Sequence, residues 1–237
     1  MTQVSVASFF GLLRLQSQFP RPIGDSSNPQ THAFEVRVRI VSDATVGRIV
    51  FDGGQALVPQ FIDGANALIA DGAIAIGTSC GFMAHHQDEI AKALPVPFIS
   101  SALLHLNALR VAHPDTARFG IITFSEATLV SAPWFHSLAP KSTLVVGLDE
   151  DSHLYQVIKY DKAHLDASRA AAGVEQAART LMAREPNLTA IVLECTNLGP
   201  YKNVVEGICN IPVLDYNDLM ASTWRKLSPQ KLQSTPS

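Results

Sequence analysis

Ala73-Ile74-Ala75-Ile76-Gly77-Thr78-Ser79-Cys80-Gly81 and Ala190-Ile191-Val192-Leu193-Glu194-Cys195-Thr196-Asn197 follow one plan: a short apolar run that ends in a cysteine. Seventeen residues past each cysteine (97 − 80 and 212 − 195) a proline opens a second short apolar run, Val96-Pro97-Phe98-Ile99 and Ile211-Pro212-Val213-Leu214. Upstream, Phe10-Gly11-Leu12-Leu13 recurs as Phe119-Gly120-Ile121-Ile122. The offset is 109 residues at the glycines (120 − 11) and 115 at the cysteines (195 − 80), so a few inserted residues separate two copies of one unit. A repeat of this length means that one fold is built twice.

Short Val- and Ile-rich runs alternating with helical patterns are the signature of buried parallel strands joined by crossover helices. Strands are expected near 4–12, 35–41, 73–77, 97–100, 119–124, 143–148, 190–194 and 212–215, four per copy. Helices are expected at Pro59–Ala70, Phe82–Leu94, Ser101–Val111, Ala127–Ser137, Ala163–Arg184, Pro200–Cys209 and from Asn217 to about Lys226. The fold class is therefore α/β: two lobes related by a pseudo-twofold axis, each a four-stranded parallel sheet flanked by helices. If the lobes face each other, the two cysteine junctions meet in a shared cleft, and an active site between the lobes is expected there. The last helix has no counterpart in register and is expected to return to the first lobe. That gives a discontinuous first lobe, 1–104 plus 217–237, and a second lobe, 105–216. The tail from Ser228 is expected to fray.

The chain has 237 residues, of which 47% are hydrophobic and 16% charged, enough apolar material for a packed core without disulfide staples. Eighteen basic and 21 acidic side chains leave a net charge of −3, with no basic field for nucleic acid or a membrane surface. No stretch is long and apolar enough to span a bilayer. The run Val4–Leu13 lacks a basic residue before Arg14, which argues against a secretory signal. Three cysteines without a CxxC pair are expected to be reduced thiols in a cytoplasmic protein. Scattered Lys and Arg, and the lack of a GxGxxG or GxxxxGK[ST] fingerprint, give a nucleotide site little support.

Cys80 and Cys195 each stand between a strand and a helix. A thiol at such a junction meets the free amides of the helix start, which favour thiolate and attract a carboxylate. One thiol on each side of a shared cleft suits proton exchange at carbon: one cysteine removes a proton next to a carboxylate or carbonyl, and the other returns one to the opposite face. Donors must also meet the oxygen that gains charge. Thr78, Ser79 and the Gly81 backbone beside Cys80, and Thr196 and Asn197 beside Cys195, are the candidates. Gln16–Ala33, with Pro20, Pro22, Gly24 and Pro29, is a long loop at a strand's carboxyl end, where such loops shape ligand sites or simply cross the surface.

These paired segments, Gly-Thr-Ser-Cys and Glu-Cys-Thr-Asn, resemble the aspartate/glutamate/hydantoin racemase superfamily over nearly the full chain. The resemblance implies cofactor-independent racemase or epimerase chemistry on a small carboxylate substrate, with Cys80 and Cys195 as the acid/base pair. It also implies that Thr78, Ser79, Thr196 and Asn197 hold the carboxylate and that Thr123 contacts substrate. Dimers are common in the superfamily, so the resemblance allows a homodimer, while the sequence itself leaves the subunit count open. Leu12-Leu13-Arg14-Leu15 replaces the small acidic or amide residue that many of its amino-acid racemases carry after the first strand. Asn197 replaces the histidine usual in glutamate racemases. The Gly24-Asp25-Ser26-Ser27-Asn28-Pro29 loop resembles a subgroup of racemase-like proteins. Arg14 or Arg21 is expected either to pair with a second carboxylate or to remain a solvated charge.

Three alternatives stay open: maleate isomerase-like chemistry with an attacking cysteine, arylmalonate decarboxylase-like chemistry, and a carboxylate-binding protein without turnover. The decarboxylase type keeps only the second-lobe cysteine, so two cysteines favour it less. His85 and His86 are poor metal ligands because helical periodicity turns neighbours to different faces. Cys209 reads as core. Asp215 either supports Cys195 or caps the last helix.

Overall fold

The computed structural model describes residues 8–228. The sequence expectations for 4–7 and 229–237 lie outside the described residues. The first sheet contains β1 (Phe9–Leu15), β2 (Val36–Val41), β3 (Ala73–Thr78) and β4 (Phe98–Ile99), in the order β2-β1-β3-β4. The second contains β5 (Phe119–Thr123), β6 (Thr143–Gly147), β7 (Ala190–Leu193) and β8 (Val213–Leu214), in the order β6-β5-β7-β8. All pairings are parallel, and the two sheets have the same topology, so the repeat in sequence is a repeat in fold.

The central strands are apolar along most of their length, with Arg14, Thr78 and Thr123 only towards their carboxyl ends, because helices cover both faces. Phe9, Phe10, Leu12 and Leu13 of β1 and Ile191, Val192 and Leu193 of β7 are fully buried. Gly11 and Gly120 sit at matched points of β1 and β5. A Cβ at Gly11 would stand 2.7 Å from an Ile76 methyl, and one at Gly120 2.7 Å from a Leu181 methyl.

The helices are α1 (Val58–Ala70), α2 (Gln87–Ala93), α3 (His105–Ala112), α4 (Glu126–Ser131), α5 (Pro133–Leu138), α6 (His153–Lys159), α7 (Ala167–Arg184), α8 (Lys202–Ile208) and α9 (Tyr216–Leu227). Several differ from the sequence expectation. The helices expected over 82–94 and 101–111 open as 3-10 turns, Gly81–His86 and Ala102–Leu104, so α2 begins at Gln87 and α3 at His105. The helix expected over 127–137 is two, because Pro133 lacks the N–H that would continue α4 and instead opens α5. The helix expected from Ala163 starts at Ala167, where Asp166 accepts the Arg169 amide as its cap. The short α6 was not anticipated. At α9, Asp215 and Asp218 form a reciprocal capping box, which gives Asp215 the capping role. The same helix fixes itself to the first sheet: the Tyr216 hydroxyl donates to Ile99 O at 2.6 Å and accepts from Thr78 N at 3.0 Å.

Candidate functional site

Each cysteine follows the carboxyl end of a third strand in its sheet. Cys80 precedes a six-residue 3-10 turn, Gly81–His86, that leads into α2, and Cys195 precedes a six-residue 3-10 turn, Thr196–Tyr201, that leads into α8. The backbone reaching them is equivalent too: Ser79 N donates to Leu13 O at 2.9 Å, and Glu194 N donates to Ile122 O at 2.9 Å. The lobes meet here, where the Thr196 hydroxyl donates to Ser79 O at 2.7 Å.

Cys80 and Cys195 line one cavity, together with Arg21, Ser79, Gly81, Glu194 and Asn197. Its apolar wall includes Phe19, Val46, Val50, Phe82, Phe124 and Ile158. The enclosed volume is about 20 Å³, room for a single water, so a larger ligand enters only if the wall moves. Val50 and Phe82 also line an outer groove with Phe51, His85 and Trp134, which makes them the partition between cavity and groove.

Arg21 comes from the long loop, not from a strand. Its guanidinium lies 4.1 Å over the Phe19 ring, pairs with Asp25 at 3.2 Å and donates to the Ser17 hydroxyl at 3.0 Å. Its Nε–H is buried without a partner, which leaves a charged donor for an anion. Asp25 is itself saturated: one oxygen accepts from Ser27 N at 2.8 Å and Ser27 Oγ at 2.6 Å, the other from Asn197 Nδ2 at 2.6 Å and Arg21. Asn197 Oδ1 in turn accepts from the Cys195 thiol at 3.5 Å. Gly24, at φ +102, lets this loop pass against Pro200, and Asn217 donates to its carbonyl at 2.8 Å.

The thiols are not thiolates at rest. Burial, followed by the nearby Glu194 carboxyl, pushes Cys80 up to about 12, against the lowering effect of the Phe82 and Met83 amides. Cys195 is pushed up by the same two causes, again with burial first. The helix-start effect expected to favour thiolate is present, but desolvation outweighs it. Glu194 is fully buried. Its Oε2 accepts from the Thr123 hydroxyl at 2.7 Å, its Oε1 has no partner, and burial raises it from 4.5 to about 7.

Of the residues expected to bind substrate, Ser79, Gly81 and Asn197 reach the cavity wall. Four do not. The Thr78 hydroxyl donates to Ser100 O at 2.8 Å, Thr123 is engaged with Glu194, and Thr196 ties the lobes together. Arg14, on β1, lies outside the lining, with burial and Arg21 both lowering its pKa. Of the two arginines the sequence offered, Arg21 and not Arg14 lines the cavity. Glu194 was visible in sequence only as part of a motif. Its signal was an acid at the end of an otherwise apolar strand, Ala190–Leu193. His86 Nε2 lies 2.7 Å from Gly53 O and His85 stacks on Trp134. Among the described residues, no cluster of three or more His, Cys, Asp or Glu side chains is placed to hold a metal ion. Nor is any helix among them long and apolar enough to cross a membrane. Cys209 is buried in the core.

No family model matches the chain. It is 26% identical over 223 residues to dimethylsulfoniopropionate lyase 5 of Emiliania huxleyi (strain CCMP1516), covering 86% of this chain and 42% of that protein. It is 25% identical over 220 residues to lyase 7 of the same organism, covering 86% of this chain and 63% of that one. The chain thus spans less than two thirds of the length of these two relatives. A dimethylsulfoniopropionate lyase of Durusdinium sp. clade D is 24% identical over 218 residues, covering 86% of this chain and 70% of that one. Among solved structures, arylmalonate decarboxylase matches with a TM-score of 0.61 at 16% identity, covering 96% of each chain. A glutamate racemase from Bacillus anthracis matches with a TM-score of 0.60 at 14% identity, covering 92% of this chain and 82% of that one. An aspartate racemase homologue from Pyrococcus horikoshii OT3 matches with a TM-score of 0.56 at 16% identity, covering 93% of this chain and 97% of that one. With two matched four-stranded parallel sheets, the chain shares the two-sheet α/β fold of these decarboxylase and racemase structures.

Proposed function

We propose that the chain is a cofactor-independent enzyme that removes and returns a proton at the carbon next to a carboxylate, with Cys80 and Cys195 as the acid/base pair. The observation that carries this reading is that Cys80 and Cys195, from equivalent junctions of the two lobes, line one cavity that Arg21 also lines. Arg21 takes the substrate carboxylate through its free Nε–H and steadies the charge that develops on that oxygen as the proton leaves. Asp25 and Asn197 hold Arg21 and the Cys195 thiol in register. With a cysteine on each side of the carbon, the natural outcome is inversion, as in a racemase or epimerase.

A second reading shares the first step. The curated relatives are named dimethylsulfoniopropionate lyases. If the substrate carries a sulfonium one carbon further from the carboxylate, loss of the proton breaks the C–S bond, releasing dimethyl sulfide and leaving acrylate. The Phe82 and Phe124 rings in the wall suit such a cation.

The test is incubation in deuterium oxide with amino acids, hydantoins, substituted malonates and dimethylsulfoniopropionate, followed by NMR, chiral separation and headspace analysis. Deuterium entering beside the carboxylate with inversion supports the racemase reading, and dimethyl sulfide release supports the lyase. No exchange with any of them contradicts both.

A further inference from the structure

A two-cysteine exchange has an unfinished step. When one thiolate removes a proton and the opposite thiol returns one, the turnover ends with the wrong cysteine charged. The site must then be reset. Neither thiol loses its proton readily here, because burial holds Cys80 near 12 and Cys195 well above its ordinary value.

The duplication shows where the reset resides. Ser79 and Glu194 are equivalent residues, each immediately before a cysteine. In the first lobe the Ser79 hydroxyl accepts from Leu15 N at 3.1 Å; in the second the Glu194 carboxyl faces the equivalent Phe124 amide and takes the Thr123 hydroxyl at 2.7 Å. A carboxylate has an oxygen more than a hydroxyl. The extra one, Oε1, is buried and unpartnered, and Glu194 lines the same cavity as the two cysteines. Glu194 adjoins Cys195 in the chain and packs against Gly81, the neighbour of Cys80, where any Cβ would overlap its carboxylate. The site thus leaves room for this group on the first-lobe side.

We propose that Glu194 is a third acid–base group of the site, the proton store that connects Cys80 and Cys195. This rests on the cysteine-pair reading above. The Glu194 carboxylate takes the S–H proton of one cysteine, giving a neutral acid and a thiolate. That thiolate takes the substrate proton and becomes a thiol again. The opposite thiol protonates the carbanion and becomes thiolate, and Glu194 then gives its proton to that sulfur. Every group returns to its starting state, and in the reset steps one negative charge moves between oxygen and sulfur without a new buried charge being created. The charged and titratable groups sharing the cavity with Glu194 are Cys80, Cys195 and Arg21, with Asp25 behind Arg21. A carboxyl near 7 suits a group that must both accept and give at neutral pH.

The experiment needs no substrate, so its failure is separate from failure of the proposed function. Alkylation of Cys80 and Cys195 by iodoacetamide is followed by mass spectrometry between pH 5 and 9 in the whole protein and in Glu194→Gln. In the wild type the rate should rise to about pH 7 and then level off, because Glu194 supplies a fixed thiolate fraction once it is ionised. In Glu194→Gln it should climb about tenfold per pH unit through the same range, as for an isolated thiol. Glu194→Asp should restore part of the plateau. Superimposable wild-type and Glu194→Gln profiles would overturn the proposal. If Glu194→Gln does not fold, a wild-type profile without a bend near neutrality overturns it alone.

Discussion

Asn197 joins Cys195 to Asp25: its carbonyl oxygen accepts from the thiol at 3.5 Å, and its amide donates to the carboxylate at 2.6 Å. Through the 3.2 Å pair between Asp25 and Arg21, a thiol of the second lobe is tied to the cation of the first. The pair is almost fully buried, so removing one partner leaves an uncompensated charge. Asp25→Asn should destabilise the fold by about 3 kcal/mol. It should also raise KM for a carboxylate about tenfold or more as Arg21 loses its orientation. Chemical denaturation and steady-state kinetics check the two parts.

The buried Glu194 carboxyl gives stability a pH dependence of defined sign. Its pKa is higher in the folded chain, about 7 against 4.5, so between these values the folded state binds more protons and stability falls as pH rises. The loss amounts to roughly 3 kcal/mol and is complete above about pH 7. Glu194→Gln removes the charge, so it should be more stable than wild type at pH 8 and should lose that advantage below pH 5. Urea unfolding at both pH values measures this. Asp215, raised from 3.8 to about 6 mainly by burial, acts in the same direction, and Glu194→Gln leaves its contribution in place.

Gly81 and Gly53 separate packing from backbone strain. A Cβ at Gly81 would run into the Glu194 carboxylate and stand 2.5 Å from its carbonyl oxygen, whereas one at Gly53 meets nothing within 4 Å but sits at φ +78. Gly81→Ala should abolish activity and cost about 1–3 kcal/mol. Gly53→Ala should cost only about 1 kcal/mol and keep activity. Thermal melts and an activity assay distinguish them.

Val50 partitions the small cavity from the outer groove. Val50→Ala should speed alkylation of Cys80 and Cys195 by about tenfold, at a stability cost of roughly 1–2 kcal/mol. Mass spectrometry and melting read both.

Much of the fold was legible because buried parallel strands announce themselves as apolar runs, and the repeat of Gly11 at Gly120 and Cys80 at Cys195 set their register. The junctions carrying the cysteines followed directly. What stayed hidden depended on chain segments far apart in sequence. Arg14 and Arg21 look alike on paper, and only the path of the 16–33 loop puts Arg21 at the cavity. Thr78, Thr123 and Thr196 have the right chemistry for a ligand, but backbone and Glu194 acceptors claim their hydroxyls. Glu194 stood in the sequence only as part of the Cys195 motif, and its burial against Gly81 of the opposing lobe is a tertiary contact. The turn over Gly47–Phe51, which follows Val46 and carries Val50 to the wall, has no periodic signal in five residues.

The most direct test is proton exchange in deuterium oxide with a turned-over carboxylate, compared among wild type, Cys80→Ser and Cys195→Ser. Each variant should lose inversion, and at least one should still wash deuterium into a single enantiomer at a reduced rate. Unchanged inversion in both variants would show that the two sulfurs do not handle the proton.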